Sequence, residues 1–135
     1  MKKKISIVTV VCSMVIIGSS FIQSETQKSI SRGKEVYGLY CQNCHMEDGA
    51  GMPEVNPPLA KADYMKRPSK DLINVILKGS TASLTVNGKK YVGAMPAQEY
   101  LSDEQIADVL NYAKNSWGNK IPGVITPALV KAQRK

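Results

Sequence analysis

Within five residues, Cys41-Gln42-Asn43-Cys44-His45, this chain of 135 residues places two of its three cysteines and its single histidine. On a helical turn, cysteines three residues apart project to one side, and the residue after the second lies beneath whatever the two sulfurs hold. Thioethers to the two vinyl groups of one porphyrin, with the imidazole of His45 reaching the iron from the proximal face, use all three groups at once, and Cys-x-x-Cys-His is the attachment pattern of a haem. The rest of the chain is therefore read as what surrounds such a ring.

Other uses of the two cysteines fare worse. A structural zinc site needs four ligands, and beyond His45 only Cys12 remains to add to the pair. A thioredoxin-like redox pair would sit beside a βαβ pattern, which is absent, and would not need the adjacent histidine. A plain structural disulfide is the remaining alternative.

Residues 1–24 read as lying outside the fold. Met1-Lys2-Lys3-Lys4, the apolar run from Ile5 to Ile17 and then Gly18-Ser19-Ser20 have the basic start, apolar middle and small-residue end of a secretory signal peptide. Cleavage after Ser20 or Ser24 is expected, and with it export. An uncleaved anchor stays open, because Ile5 to Ile22 is marginally long enough to span a bilayer. Cys12, inside the run, is a poor match to a lipoprotein processing site and reads as an incidental apolar residue.

The formal charge of +7 is unevenly placed. Without Lys2, Lys3 and Lys4 the 18 basic residues fall to 15 against 11 acidic ones, a net of +4, and three of those four charges are Lys131, Arg134 and Lys135. The body of the domain is thus nearly balanced, which argues against nucleic acid, whose binding wants a dense basic stripe with stacking aromatics. With at most eight aromatic residues and little sheet-forming sequence, a central haem would supply apolar contact that the side chains do not.

Helical periodicity places the elements. Ser29 or Ser31 is expected to cap a helix running through Tyr40, with Val36, Tyr37 and Tyr40 on one face, and that helix delivers Cys41. The breakers Gly49, Gly51, Pro53, Pro57 and Pro58 mark an irregular loop. Ser69 begins a second helix with Leu72, Ile73, Ile76 and Leu77 as its buried stripe and Gly79 as its stop. Between Leu84 and Val92, Asn87-Gly88 reads as a hairpin turn. Ser102 and Gln105 form a capping box, Leu101 can staple onto Ile106, and the stripe Ile106, Val109, Leu110, Ala113 predicts a helix to Trp117 with Gly118 ending it. Residues 121–126 read as loop, and Thr126-Pro127 as the start of a short terminal helix.

A haem held by one histidine leaves the opposite iron site open, and no second histidine exists to fill it. Met95, in Gly93-Ala94-Met95-Pro96, is the candidate: glycine and proline fix the backbone around it, and it lies 50 residues after His45, far enough to cross the ring. Met46 and Met52 are too close to the attachment site, and Met65 precedes a helix start by four residues. A gap-filling core role is the alternative for Met95.

Together these segments resemble the class I bacterial cytochromes c, from Gly33 to about Trp117. Gly33-Lys34-Glu35-Val36-Tyr37 with Tyr40-Cys41-Gln42-Asn43-Cys44-His45 is similar to that family's first helix and haem site. Asn56-Pro57-Pro58-Leu59, Tyr91-Val92-Gly93-Ala94-Met95-Pro96 and Leu101 to Tyr112 resemble its proximal loop, methionine loop and C-terminal helix. The resemblance implies an all-α cytochrome c fold, with helices packed around one covalently attached haem c and here a small hairpin-like insertion before the methionine loop. It implies that the Pro57 carbonyl accepts from the proximal imidazole, that Leu59 packs on the ring and that Tyr112 packs across Gly33. It also implies attachment of the haem outside the cytoplasmic membrane. The expected organisation is a signal peptide or anchor over 1–24, a cytochrome c domain over 25–118 and a C-terminal extension over 119–135.

The function expected is single-electron transfer, without enzymatic activity, between redox protein partners outside the cytoplasmic membrane. Cys41 and Cys44 would hold the haem, with His45 and Met95 on the iron. Membrane contact is expected only if the N-terminal segment is uncleaved. A tethered relay subunit of a larger oxidoreductase fits the same residues. A ligand-binding or catalytic haem would need Met95 to leave and a distal acid or base, and no histidine remains to serve.

Overall fold

The computed structural model describes residues 25–134. The signal or anchor reading of residues 1–24 lies outside the described residues. Residues 25–40 are helical (α1) and are followed by one turn, α2 (Gln42–His45). An irregular stretch and a 3-10 turn (Asp63–Lys66) lead to α3 (Ser69–Lys78), and strands β1 (Leu84–Val86) and β2 (Lys89–Tyr91) form an antiparallel hairpin. After the loop that carries Met95 come α4 (Asp103–Asn115) and α5 (Pro127–Lys131). Among the described residues, no helix is long and apolar enough to cross a membrane.

Local chemistry accounts for most of these boundaries. At α4, the Ser102 hydroxyl accepts from the Gln105 N–H at 3.1 Å while the Gln105 side chain accepts from the Ser102 N–H at 2.9 Å, so two otherwise orphaned donors are satisfied reciprocally. Asp103 and Glu104 sit in the first turn, where the helix dipole favours negative charge. The hairpin turns through Asn87 and Gly88, both at positive φ, and pairs Val86 with Lys89. On α3, the apolar stripe Leu72, Ile73, Ile76 and Leu77 is buried, as its spacing requires. At α5, Thr126 caps and Pro127 opens the helix.

Two expected helix boundaries need correction. Ser29 does not cap a helix: it lies inside α1, where its hydroxyl donates to Asp108 at 2.6 Å and accepts from Asn111 at 2.9 Å. Its partners lie on α4 rather than on the first turn of its own helix, and the Glu25–Lys28 pair at 2.8 Å extends α1 further back. The C-terminal end of α4 also falls earlier than Trp117. Ser116 is extended and Trp117 has φ 53°, because the indole is drawn away to donate to the Glu47 carbonyl at 2.9 Å and to pack against Tyr37 and Tyr112.

α1 and α4 meet at Gly33. A β-carbon there would collide with the backbone carbonyl of Asp108 and lie 2.8 Å from the β-carbon of Tyr112, so only glycine admits this approach. The contact is flanked by Arg32, whose guanidinium grips the Asp108 carboxylate at 2.6 and 2.9 Å. Val36 and Tyr37 are buried on this face, whereas Tyr40, expected on it, is 41% exposed and pairs edge-on with Tyr100. The helices α3, α4 and α5 pack on one another, with Val130 of α5 and Ile125 just before it fully buried.

Candidate functional site

The pentapeptide is presented at the junction of α1 and α2. The Cys41 N–H still donates to the Tyr37 carbonyl at 2.9 Å, and the N–H of His45 donates back to the Cys41 carbonyl at 3.0 Å, which makes 41–45 a single tight turn. Met46 then turns to φ 63° and ends it. The loop beyond is tied to the turn: the Tyr37 hydroxyl donates to the Met46 carbonyl at 2.5 Å, and the Asn56 side chain to the Cys44 carbonyl at 3.2 Å. Cys41 is half-buried, and burial, with the neighbouring Cys44 adding to it, pushes its thiol up to about 11. Cys44 is exposed.

His45 is oriented by one contact. Its Nδ1 lies 3.1 Å from the Pro57 carbonyl oxygen, and since a carbonyl can only accept, Nδ1 carries the proton and Nε2 keeps a lone pair. Burial holds the imidazole below the usual histidine range, with the Pro57 carbonyl partly opposing the shift. A neutral ring with one nitrogen committed to a carbonyl is the form in which histidine binds a metal. The Pro57 strand is itself anchored, with Leu59 and Ala60 both donating to the Gly49 carbonyl at 2.8 and 3.0 Å.

His45 opens onto a cavity whose empty space, open mouth included, is about 720 Å³. Cys41, Pro57, Pro58 and Leu59 share its wall with His45. Leu72, Val75 and Ile76 of α3, Leu84 and Val86 of the hairpin, and Val109, Leu110 and Ala113 of α4 complete most of the rest. The lining is apolar apart from the Tyr37 and Tyr64 rings, the Cys41 thiol and the imidazole. Such a space suits a large, flat, mainly apolar macrocycle whose metal takes a nitrogen ligand.

Met95 also lines the cavity and is half-buried. Its backbone is pinned by a two-way bridge to Ser80, with both N–H···O distances at 2.8 Å. The bridge depends on Gly79, which has φ 68° and passes so near the Met95 carbonyl that a β-carbon would overlap it. Three of the four residues expected at the site, Cys41, His45 and Met95, thus line one cavity. Cys44 is outside the lining. Sequence reasoning missed Met65, which is 3% exposed in the 3-10 turn and lines the same cavity. The signal available was the apolar pair Tyr64-Met65 set among the charged residues Lys61, Asp63, Lys66 and Arg67, with Arg67 stacked over Tyr64 at 4.6 Å.

A helix-bound Cys-x-x-Cys-His turn facing an apolar cavity, with a carbonyl-held imidazole and a thioether on its wall, defines a haem-binding electron-transfer protein. Residues 30–117 match the cytochrome c family model, and the chain belongs to that family. It is 39% identical over 105 residues to the cytochrome c subunit of an alcohol dehydrogenase (quinone) from Gluconacetobacter polyoxogenes, and 33% identical over 103 residues to that of Gluconobacter oxydans. In each case 76% of this chain is matched, and the chain spans only 22% of the relative's length. Cytochrome c-552 of Thermus thermophilus is 34% identical over 124 residues, covering 76% of this chain and 94% of that protein. As a cytochrome c, the protein carries one covalently attached haem c and transfers electrons.

Proposed function

We propose that this protein is a monohaem electron carrier working outside the cytoplasmic membrane, with the haem held through Cys41 and Cys44 and the iron bound by His45 and Met95. The observation that carries this reading is the neutral imidazole of His45, fixed by Pro57 on the wall of the apolar cavity that Cys41 and Met95 share.

When bound, the haem supplies an iron that cycles between Fe(II) and Fe(III). The protein's share follows from its own atoms. Cys41 and Cys44 would hold the ring by two thioethers, each the product of an S–H bond adding across a vinyl group. The Pro57 carbonyl, by accepting from Nδ1, raises the basicity of Nε2 and fixes the ring plane. The soft Met95 sulfur would favour the reduced metal and raise the potential above that of a water-ligated site. The apolar lining excludes water, and low dielectric penalises the extra charge of the oxidised centre. Backbone-pinned His45 and Met95 would keep rearrangement small, which suits electron transfer.

A second reading, an electron-relay subunit of a larger dehydrogenase, is supported by the likeness to the alcohol dehydrogenase subunits and to a gluconate 2-dehydrogenase cytochrome c subunit of Pantoea cypripedii. Either way the partners are redox proteins. Mass spectrometry of the native protein tests the attachment, with one haem added and no free thiol at 41 or 44 expected. Migration of the native protein alone or within a larger complex separates carrier from subunit. Cell fractionation tests the location.

A further inference from the structure

Residues 119–134 follow the family-matched segment, yet they are bonded to both loops that flank the cavity. Asn119, 6% exposed, donates to the Leu59 and Ala113 carbonyls at 2.9 and 2.7 Å and accepts from the Lys61 N–H at 2.8 Å, which ties it to the loop carrying Pro57. The middle of the segment is clamped to α4: Asn111 accepts from the Ile125 N–H and donates to the Ile125 carbonyl, both at 2.8 Å. Val130 is fully buried, and Gln133 accepts from Asn74 of α3 at 3.3 Å.

The far end of this strap reaches the methionine loop. Arg134 Nη1 donates to the Glu99 carbonyl at 2.8 Å, Nη2 to the Leu101 carbonyl at 2.5 Å, and Nε to Asp103 at 2.5 Å. A rigid guanidinium fork joined to an anchored backbone holds what it touches. Between Met95 and α4 the loop has no regular element; besides Arg134 it is held by the Gln98 N–H on the Ile76 carbonyl at 2.8 Å, by Tyr100 packed edge-on against Tyr40, and by the buried Leu101 side chain next to α4. Upstream, Met95 is fixed at Ser80. Arg134 is the contact that joins the backbone of this stretch, at Glu99 and Leu101, to the C-terminal strap.

We propose that Arg134 is a positioning residue for Met95: through the Glu99 and Leu101 carbonyls it anchors the exit side of the methionine loop and so sets how readily Met95 leaves the iron. This rests on the reading of Met95 as the axial ligand. A tail that only stabilised the fold would alter melting and leave ligand exchange alone.

The test uses the full-length haem-loaded ferric protein titrated with imidazole, which competes for the methionine site, with the weak sulfur-to-iron absorption as a second readout. Arg134→Gln removes the fork. Arg134→Lys keeps the charge beside Asp103 but cannot span two carbonyls. Both should raise imidazole affinity by roughly fivefold or more, the factor that one lost hydrogen bond represents. Arg32→Gln, whose lost partners Asp108 and Glu104 lie on α4 alone, should lower the melting temperature and leave imidazole affinity unchanged. Imidazole affinity within twofold of the parent in both Arg134 variants overturns the proposal while leaving Met95 as ligand. Persistence of the sulfur absorption in Met95→Ala overturns the ligand reading and this proposal together.

Discussion

The Nδ1–H of His45 donates to the carbonyl of Pro57 across 3.1 Å, so the ring is held by backbone rather than by a titratable side chain. No pH change within the stable range of the fold can remove the acceptor. In the reduced protein the Nδ1 proton should therefore exchange slowly with solvent and give a persistent NMR resonance between pH 5 and 9. A proton that exchanges too fast to detect would mean that the Pro57 bond does not form around the haem.

At the α1–α4 crossing, Gly33→Ala must push the helices apart, because its β-carbon has no room against the Asp108 carbonyl. The expected cost is about 2–3 kcal/mol of stability in thermal or denaturant unfolding of the haem-loaded protein. A cost near zero would show that the crossing relaxes easily.

Lys114 is 4% exposed, and the partner of its Nζ is the neutral Gly123 carbonyl at 2.6 Å. Burial lowers its pKa from the ordinary lysine value of 10.5. With the folded value below the unfolded one, the charged form weakens the fold at neutral pH, and stability is recovered as pH rises from the lowered value toward 10.5. The stability difference between parent and Lys114→Met should thus move in the parent's favour with rising pH over that window. A difference independent of pH would contradict the assignment.

Lys89 and Lys90 lie exposed on β2, in the hairpin whose Leu84 and Val86 line the cavity. Long-range charge steers encounter more than it holds a complex. Lys89→Glu with Lys90→Glu should slow oxidation by anionic hexacyanoferrate(III) and speed oxidation by a cationic cobalt(III) complex at low salt. Both effects should fade above about 0.15 M, where the Debye length is about 8 Å. Unchanged rates with both reagents would show that electrons leave through another surface.

What was legible in the sequence were the features written in neighbouring residues. The pentapeptide, the Ser102–Gln105 box, the Asn87-Gly88 turn and the stripe of α3 each depend on contacts a few positions apart, and each forms where its spacing places it. What was hidden depends on distant partners. Ser29 looked like a cap because nothing local reveals that its hydroxyl meets Asp108, 79 positions away. Trp117 looked helical because the Glu47 carbonyl that draws it out is 70 positions upstream. Met65 lies in a short stretch dominated by charged residues yet is buried against the cavity, and the tail shows no motif for the bonds of Asn119 and Arg134.

Because Met65 and Met95 both line the cavity, the sulfur that binds the iron is the most direct test of the account. The measurement is the weak sulfur-to-iron absorption of the ferric haem-loaded protein in Met95→Ala and in Met65→Ala. With Met95 on the iron, the absorption should disappear in Met95→Ala, together with a lowered reduction potential, and survive in Met65→Ala even though that variant leaves a cavity and loses stability. Loss in Met65→Ala with retention in Met95→Ala would contradict it.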